Sequence, residues 1–192
     1  MDKYIITIFI LKVNYFLSFD FIHPLSYIVY KLYTLYSQLY TLYTILSLSD
    51  SDKHFDSALA EYTKRLQKNL TIIDLKPSKA DHRETAITKD TDIIIDWLAK
   101  NKEKYDQFIL LSINGKDQPT EDWVRLFPIW KKYCFIIGGP HGLDENKLAM
   151  SNYQLSMIGL WKQTLVHGLA KLVLAEQIYR IWMIQSNRSY HY

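Results

Sequence analysis

The sequence has little cysteine and little glycine, and several common signature motifs do not occur in it. A single cysteine, Cys134, excludes a disulfide framework and a zinc site built from CxxC pairs. All six glycines lie at or after Gly115. There is no G-x-G-x-x-G, Walker A loop, H-E-x-x-H or G-x-S-x-G. The sequence therefore lacks the signals of classical dinucleotide-binding proteins, P-loop NTPases, zinc proteases and serine hydrolases.

Long apolar runs and a strong charge of one sign are missing too. The apolar run Tyr4–Leu11 stops at Lys12, short of the roughly 18 apolar residues that a membrane span needs. The start shows no basic region followed by a small-residue cleavage site. Lysine and arginine exceed the acidic residues by only 3, too little to indicate nucleic-acid binding by charge alone. We expect a cytoplasmic protein with no membrane segment, and a membrane tether in residues 1–50 is the least favoured alternative.

The first fifty residues differ from the rest of the chain. Eight of the fifteen tyrosines lie there, and residues 32–45 read LYTLYSQLYTLYTI. The spacing of the apolar positions in this segment is compatible with a helix that has a Leu/Tyr face, although a low-complexity insertion is the favoured interpretation. We interpret residues 1–11 as a candidate first strand, 12–50 as an atypical insertion rich in tyrosine and leucine, and 51–192 as the main domain.

From residue 51 onward, strand and helix patterns alternate. Ser51 and Asp52 are expected to cap the first helix. Strands are predicted at Leu70–Leu75, Phe108–Ser112 and Tyr133–Ile137, a short helix near Glu145–Met150 and a long helix over Leu165–Gln185. The pair Asn114-Gly115 is expected to close the second of these strands in a turn. This order predicts an α/β fold with a parallel sheet and helices on both faces.

Three loops are candidates for a ligand site. In open parallel sheets, ligands bind beyond the carboxyl ends of the strands, and the loops predicted there are Leu111–Lys116, Ile137–Leu143 and Leu160–His167. Two consecutive glycines in the second loop, Gly138 and Gly139, would let the backbone approach a ligand closely. Taken alone, the glycine pair is better explained by a tight turn that needs a positive φ.

Three separated blocks occur in the order in which a known family has them: FIIGGPHGL (135–143), TLVHGLAKLVLAEQIYRIW (164–182) and NRSYHY (187–192). With these blocks, about residues 53–192 resemble the ribosomal RNA large subunit methyltransferase H family, a SPOUT-class family. The resemblance implies transfer of a methyl group from S-adenosylmethionine to N3 of a pseudouridine in 23S rRNA of the assembled ribosome. It also implies a C-terminal trefoil knot, a homodimer whose two subunits complete each site, and no metal.

The resemblance also assigns residues to the site. It implies cofactor contacts from Leu111, Gly139, Trp161, Lys162, Gln163, Thr164, Leu165 and Val166. The acceptor nitrogen carries a proton, and histidine suits its removal near neutral pH. His141, His167 and His191 are candidates for this role, and each could instead be a structural imidazole. His191 is favoured for contact with the substrate base.

Two further residues complete the implied catalytic set. Tyr190 could stack on the substrate base beside His191. Arg180 could hold an rRNA phosphate, although an ion pair with Glu176, four residues earlier on the same helix, explains it equally well.

The sequence departs from the family at several positions. The family usually has Asp at Ser112, Arg at Lys171 and Pro at Ser189, and its first strand leads directly into the first helix. Residues 12–50 stand in that connection here. These departures leave open a second function, that of a non-catalytic or degenerate SPOUT-fold protein that binds RNA or the cofactor.

Overall fold

Five parallel strands form one sheet in the part of the chain that the structure describes. The computed structural model describes residues 41–49, 53–151, 153, 155–160 and 162–188. The strands stand in the order β2-β1-β4-β3-β5 within one sheet, and every neighbouring pair is parallel. They are β1 (Leu42–Leu48), β2 (Leu70–Leu75), β3 (Gln107–Asp117), β4 (Lys132–Ile137) and β5 (Leu155–Gly159).

Helices connect the strands. They are α1 (Lys53–Leu66), α2 (Arg83–Asn101), α3 (Thr120–Leu126), α4 (Glu145–Met150) and α5 (His167–Gln185), with short 3-10 turns at Gln67–Asn69 and Lys102–Lys104. The long helix α5 begins at His167 rather than at the predicted Leu165. The predicted caps of α1, Ser51 and Asp52, lie outside the described residues. In the part of the chain that the structure describes, no helix has the length and apolar content to cross a membrane.

The two faces of the sheet carry separate hydrophobic cores. Residues of α1, α3 and α5 pack on one face, with Phe135 and Leu174 fully buried there. Residues of α2 and α4 pack on the other face, with Leu98 and Ile136 fully buried there. Strands covered on both sides read as continuous apolar runs, which is why β4 was predictable. The predicted fold class, a parallel sheet with helices on both faces, is confirmed.

Strand β1 corrects the predicted organisation of the N-terminal segment. It lies in the interior of the sheet, where Ile45 is in register with Ile72 of β2 and Phe135 of β4. Residues 42–48 are therefore a central strand, and the prediction that an insertion extends to residue 50 is wrong for them. The candidate first strand, residues 1–11, lies outside the described residues.

Strand β3 also runs further than predicted. It does not end in a turn at Asn114-Gly115 but continues to Asp117, with a shift in its register against β5 between Leu111 and Lys116. A Cβ on Gly115 would lie 2.3 Å from the carbonyl carbon of Ile158. The glycine is therefore required by the close approach of the two backbones. Strand β5, which makes that approach, was not predicted.

Candidate functional site

A cavity of about 940 Å³ opens beyond the carboxyl ends of β4 and β5 and beside the register shift in β3. Its lining residues come mostly from the three predicted loops: 110–114, 137–146 and, after β5, 160 and 163–167. Arg83 at the start of α2 and Ala170 in α5 complete the lining. The three predicted segments therefore meet at one side of the sheet, although residues 111–116 belong to β3 and are not the predicted loop.

Most of the residues assigned to the cofactor reach this cavity. Its lining includes Leu111, Gly139, Gln163, Thr164, Leu165 and Val166. Lys162 is exposed and is not among the lining residues, and Trp161 lies outside the described residues. The juxtaposition of three chain segments is therefore observed, whereas their role towards a ligand stays a prediction.

The glycine pair after β4 serves a close contact. Gly142, not the pair itself, has the positive φ of +84°, and its amide donates to the carbonyl of Gly139 at 2.9 Å. A Cβ on Gly139 would lie only 2.6 Å from Oδ2 of Asp90. The buried Asp90 accepts the backbone amide of Ser78 at 2.6 Å. Neither glycine of the pair has a positive φ, so the interpretation of the pair as a turn that needs one is wrong. At Gly139, a buried carboxylate occupies the space that a side chain would take.

The carboxylate of Glu145 lies beside Ser112 of β3, the position where the resembled family usually has an aspartate. The hydroxyl of Ser112 donates to Oε1 of Glu145, and Nδ2 of Asn114 donates to Oε2 at 3.1 Å. The backbone amide of Asn114 in turn donates to the Ser112 hydroxyl at 2.9 Å. All three residues line the cavity. Sequence reasoning missed Glu145, since it lies on α4, 31 or more positions from both partners.

His167 lines the cavity at the first turn of α5. Burial lowers the pKa of its imidazole, the positive charge of Lys171 lowers it further, and a hydrogen bond with the backbone of Gly138 partly offsets both effects. The imidazole is therefore neutral at physiological pH. A neutral ring keeps one nitrogen able to accept a proton, which a base at this site requires.

The ammonium group of Lys171 is buried between α5 and the carboxyl ends of β1 and β2. Its Nζ lies 2.9 Å from Oδ1 of Asp74 and donates to the hydroxyl of Ser49 at 3.1 Å. The Lys171 side chain is 4% exposed and that of Asp74 is 38% exposed. This contact fixes the start of α5, and with it His167, against the central strands.

Of the three predicted catalytic residues, only Arg180 is among the residues that the structure describes. Arg180 lies on α5, where its guanidinium forms an ion pair with Glu176 at 2.5 Å, and it is not among the lining residues. Tyr190 and His191 lie outside the described residues. Among the described residues, no group of three or more His, Cys, Asp or Glu side chains is arranged to hold a metal ion.

Cys134 is fully buried in β4. Burial raises the pKa of its thiol well above the ordinary value. The side chain therefore packs as a small hydrophobic group.

Comparisons with known proteins agree with this architecture. Residues 35–191 match a family model described as "Predicted SPOUT methyltransferase". A ribosomal RNA large subunit methyltransferase H of Mycoplasmopsis pulmonis is 30% identical over 149 residues, which cover 77% of this chain and 97% of the relative. A protein of the same name from Streptococcus suis is 37% identical over 153 residues, covering 73% and 92%.

The structural comparison supports the fold alone. A solved structure described only as that of a hypothetical protein superposes with a TM-score of 0.51 at 13% identity, covering 74% of this chain and 80% of its own.

Proposed function

Because this chain belongs to the SPOUT methyltransferase family, and within it to the ribosomal RNA large subunit methyltransferase H proteins, we propose that it methylates ribosomal RNA. The proposed reaction transfers a methyl group from S-adenosylmethionine to N3 of a pseudouridine in 23S rRNA of the assembled ribosome. The enzyme would act in the cytoplasm as a homodimer, with a trefoil knot formed by its C-terminal segments.

The observation that carries this proposal is the cavity where three chain segments meet at the carboxyl edge of the sheet. Its volume of about 940 Å³ falls in the range of about 300–1,000 Å³ that is usual for ligand sites. Leu111, Gly139 and residues 163–166 are among its lining residues. These are the positions that the family resemblance assigns to the methyl donor.

For this reaction, the main requirement on the protein is that it positions the methyl donor and the acceptor base. The donor carries an activated methyl group on its sulfonium, so that the C–S bond breaks as the N3–C bond forms and S-adenosylhomocysteine leaves. Holding reacting groups in line can contribute on the order of 7–11 kcal/mol to lowering the barrier. The proton of N3 must pass to a base, and the neutral His167 and the exposed His141 both line the cavity. His191 and Tyr190 remain proposed contacts to the substrate base.

The outer face of α5 supports the proposed homodimer. The buried positions of α5, among them Lys171, Leu174 and Ile178, face the sheet. Residues at helical spacing on the opposite side are only partly exposed and largely apolar: Leu169, Val173, Glu176, Arg180, Met183 and Ile184. A helix whose outer face is also largely apolar is typical of one that a further surface covers. In such a dimer, Arg180 of one subunit would lie near the site of the other.

Methyl transfer tests the proposal directly. Purified protein should transfer labelled methyl groups from S-adenosylmethionine to ribosomes that lack the modification, and mass spectrometry of 23S rRNA fragments should place the label on N3 of a pseudouridine. S-adenosylhomocysteine should inhibit the reaction as its product. Binding of the donor without any transfer would instead identify a non-catalytic RNA- or cofactor-binding protein. No affinity for the donor would contradict both methyl transfer and cofactor binding.

A further inference from the structure

The cavity contains a carboxylate whose orientation is fixed before any ligand binds. Glu145 is the first residue of α4 and is half-buried, and both of its carboxylate oxygens accept a hydrogen bond from β3. Each oxygen has two acceptor positions, so one remains on each for a further donor. The carboxylate is therefore held in place without being saturated.

The neighbouring acidic residue, Asp144, has a different structural role. Asp144 caps α4, since its Oδ1 accepts the backbone amide of Lys147 at 2.9 Å. Glu145 makes no such capping contact, and its hydrogen bonds run across the cavity to Ser112 and Asn114. A carboxylate in the first turn stabilises a helix through the helix dipole. Helix stabilisation of this kind does not explain why two side chains of β3 donate hydrogen bonds to Glu145.

The proposed methyl donor carries two groups that a carboxylate attracts. Its sulfonium and its α-ammonium are both cationic, whereas its adenine and ribose are neutral. On the basis of the proposed function, we propose that Glu145, oriented by Ser112 and Asn114, binds a cationic group of the methyl donor. The bound carboxylate would then select the charged donor over neutral thioether nucleosides.

Three ligands can show which of the two cationic groups Glu145 binds. S-adenosylmethionine carries both, S-adenosylhomocysteine carries the ammonium alone, and 5′-methylthioadenosine carries neither. Calorimetry should show that Glu145→Gln lowers the affinity for S-adenosylmethionine about tenfold, the loss expected for a hydrogen-bonded charge. The affinity for 5′-methylthioadenosine should change by no more than about twofold. A parallel loss for S-adenosylhomocysteine identifies the ammonium as the group bound, and an unchanged affinity for it identifies the sulfonium.

Two variants provide controls. Glu103→Gln makes the same change in net charge at a side chain that is 89% exposed and does not line the cavity, and it should leave all three affinities unchanged. Ser112→Ala keeps the carboxylate but removes one of its hydrogen-bond donors. It should therefore lower the affinity for the charged ligands by less than Glu145→Gln does. Thermal unfolding of each variant checks that the fold is intact.

The outcomes separate this inference from the proposed function. Equal weakening of all three ligands by Glu145→Gln, or no weakening at all, overturns the role of Glu145 while methyl transfer by the wild-type protein still stands. A wild-type protein that binds none of the three ligands overturns the proposed function itself.

Discussion

At Gly139, the absence of a side chain is required by a buried carboxylate. A methyl group at this position would meet Oδ2 of Asp90 at 2.6 Å, and the displaced carboxylate would lose the amide of Ser78. We expect Gly139→Ala to lower the free energy of unfolding by about 1–3 kcal/mol, the usual cost of a disrupted buried polar contact.

A double-mutant cycle in urea can test this cause. In an Asp90→Ala background the added methyl group has room, so Gly139→Ala should cost clearly less there than in the wild-type protein. An equal cost in both backgrounds would mean that the carboxylate is not the obstacle.

The lowered pKa of His167 makes stability depend on pH. In the unfolded chain the imidazole takes up a proton near its ordinary pKa of 6.5, whereas the folded protein holds it neutral to a lower pH. The unfolded state therefore binds more protons as the pH falls below about 6.5, and the free energy of unfolding decreases there.

His167→Gln removes this contribution, so its stability should decline less steeply than that of the wild-type protein between pH 7.5 and pH 5. Urea unfolding at several pH values measures both slopes, and identical slopes would contradict a lowered pKa.

Single residues of the site differed in how far the sequence predicted them. Leu111 and Gly139, which the family resemblance assigned to the cofactor, both line the cavity. Glu145 was not predicted, since its importance comes from contacts with Ser112 and Asn114 that only the folded chain brings together. The role of the glycine pair was misjudged for the same reason, because Asp90 lies far away in the sequence.

At the scale of elements, the contact of Lys171 with Asp74 joins α5 to the end of β2 and should respond asymmetrically to substitution. Asp74→Ala leaves an ammonium buried with the Ser49 hydroxyl as its remaining contact. We expect this variant to lose about 3 kcal/mol, as is usual when one member of a buried pair is removed.

Lys171→Met instead places an apolar side chain in the buried position and leaves a partly exposed aspartate that water can solvate. Lys171→Met should lower the free energy of unfolding by about 1 kcal/mol or less. Chemical denaturation of both variants checks the order, and a larger loss for Lys171→Met would contradict it.

The two strands that were missed or misplaced escaped prediction for different physical reasons. β1 is buried on both faces, so no alternation of polar and apolar residues marks it, and the buried Thr44 and Ser47 interrupt its apolar run. Its sequence also continues a Leu-Tyr-Thr repeat whose spacing suits a helix. β5 has only five residues and pairs with β3 alone. By contrast, β2 and α4 were predicted with the observed bounds, because turn residues and caps delimit them.

At the scale of the whole molecule, the proposed dimer should depend on the outer face of α5. Val173 is partly exposed on that face, and Val173→Asp would place a charge in an apolar interface. We expect sedimentation velocity to show monomers for this variant and dimers for the wild-type protein.

Met150→Asp is the matched control, since Met150 is 83% exposed on α4 and its substitution should leave the dimer intact. A dimeric Val173→Asp variant would exclude the outer face of α5 as the interface.

The strand order also constrains how this chain can fold as it leaves the ribosome. β3 is synthesised before β4 yet reaches β1 only through it, and pairing Leu42 with Lys132 joins positions 90 residues apart. Such long-range pairing folds slowly. A nascent chain that ends before β4 must therefore keep the apolar strand β3 outside the sheet, where it is a target for chaperones and for aggregation. The cavity, whose last segment follows β5, can form only after translation has passed the end of the sheet.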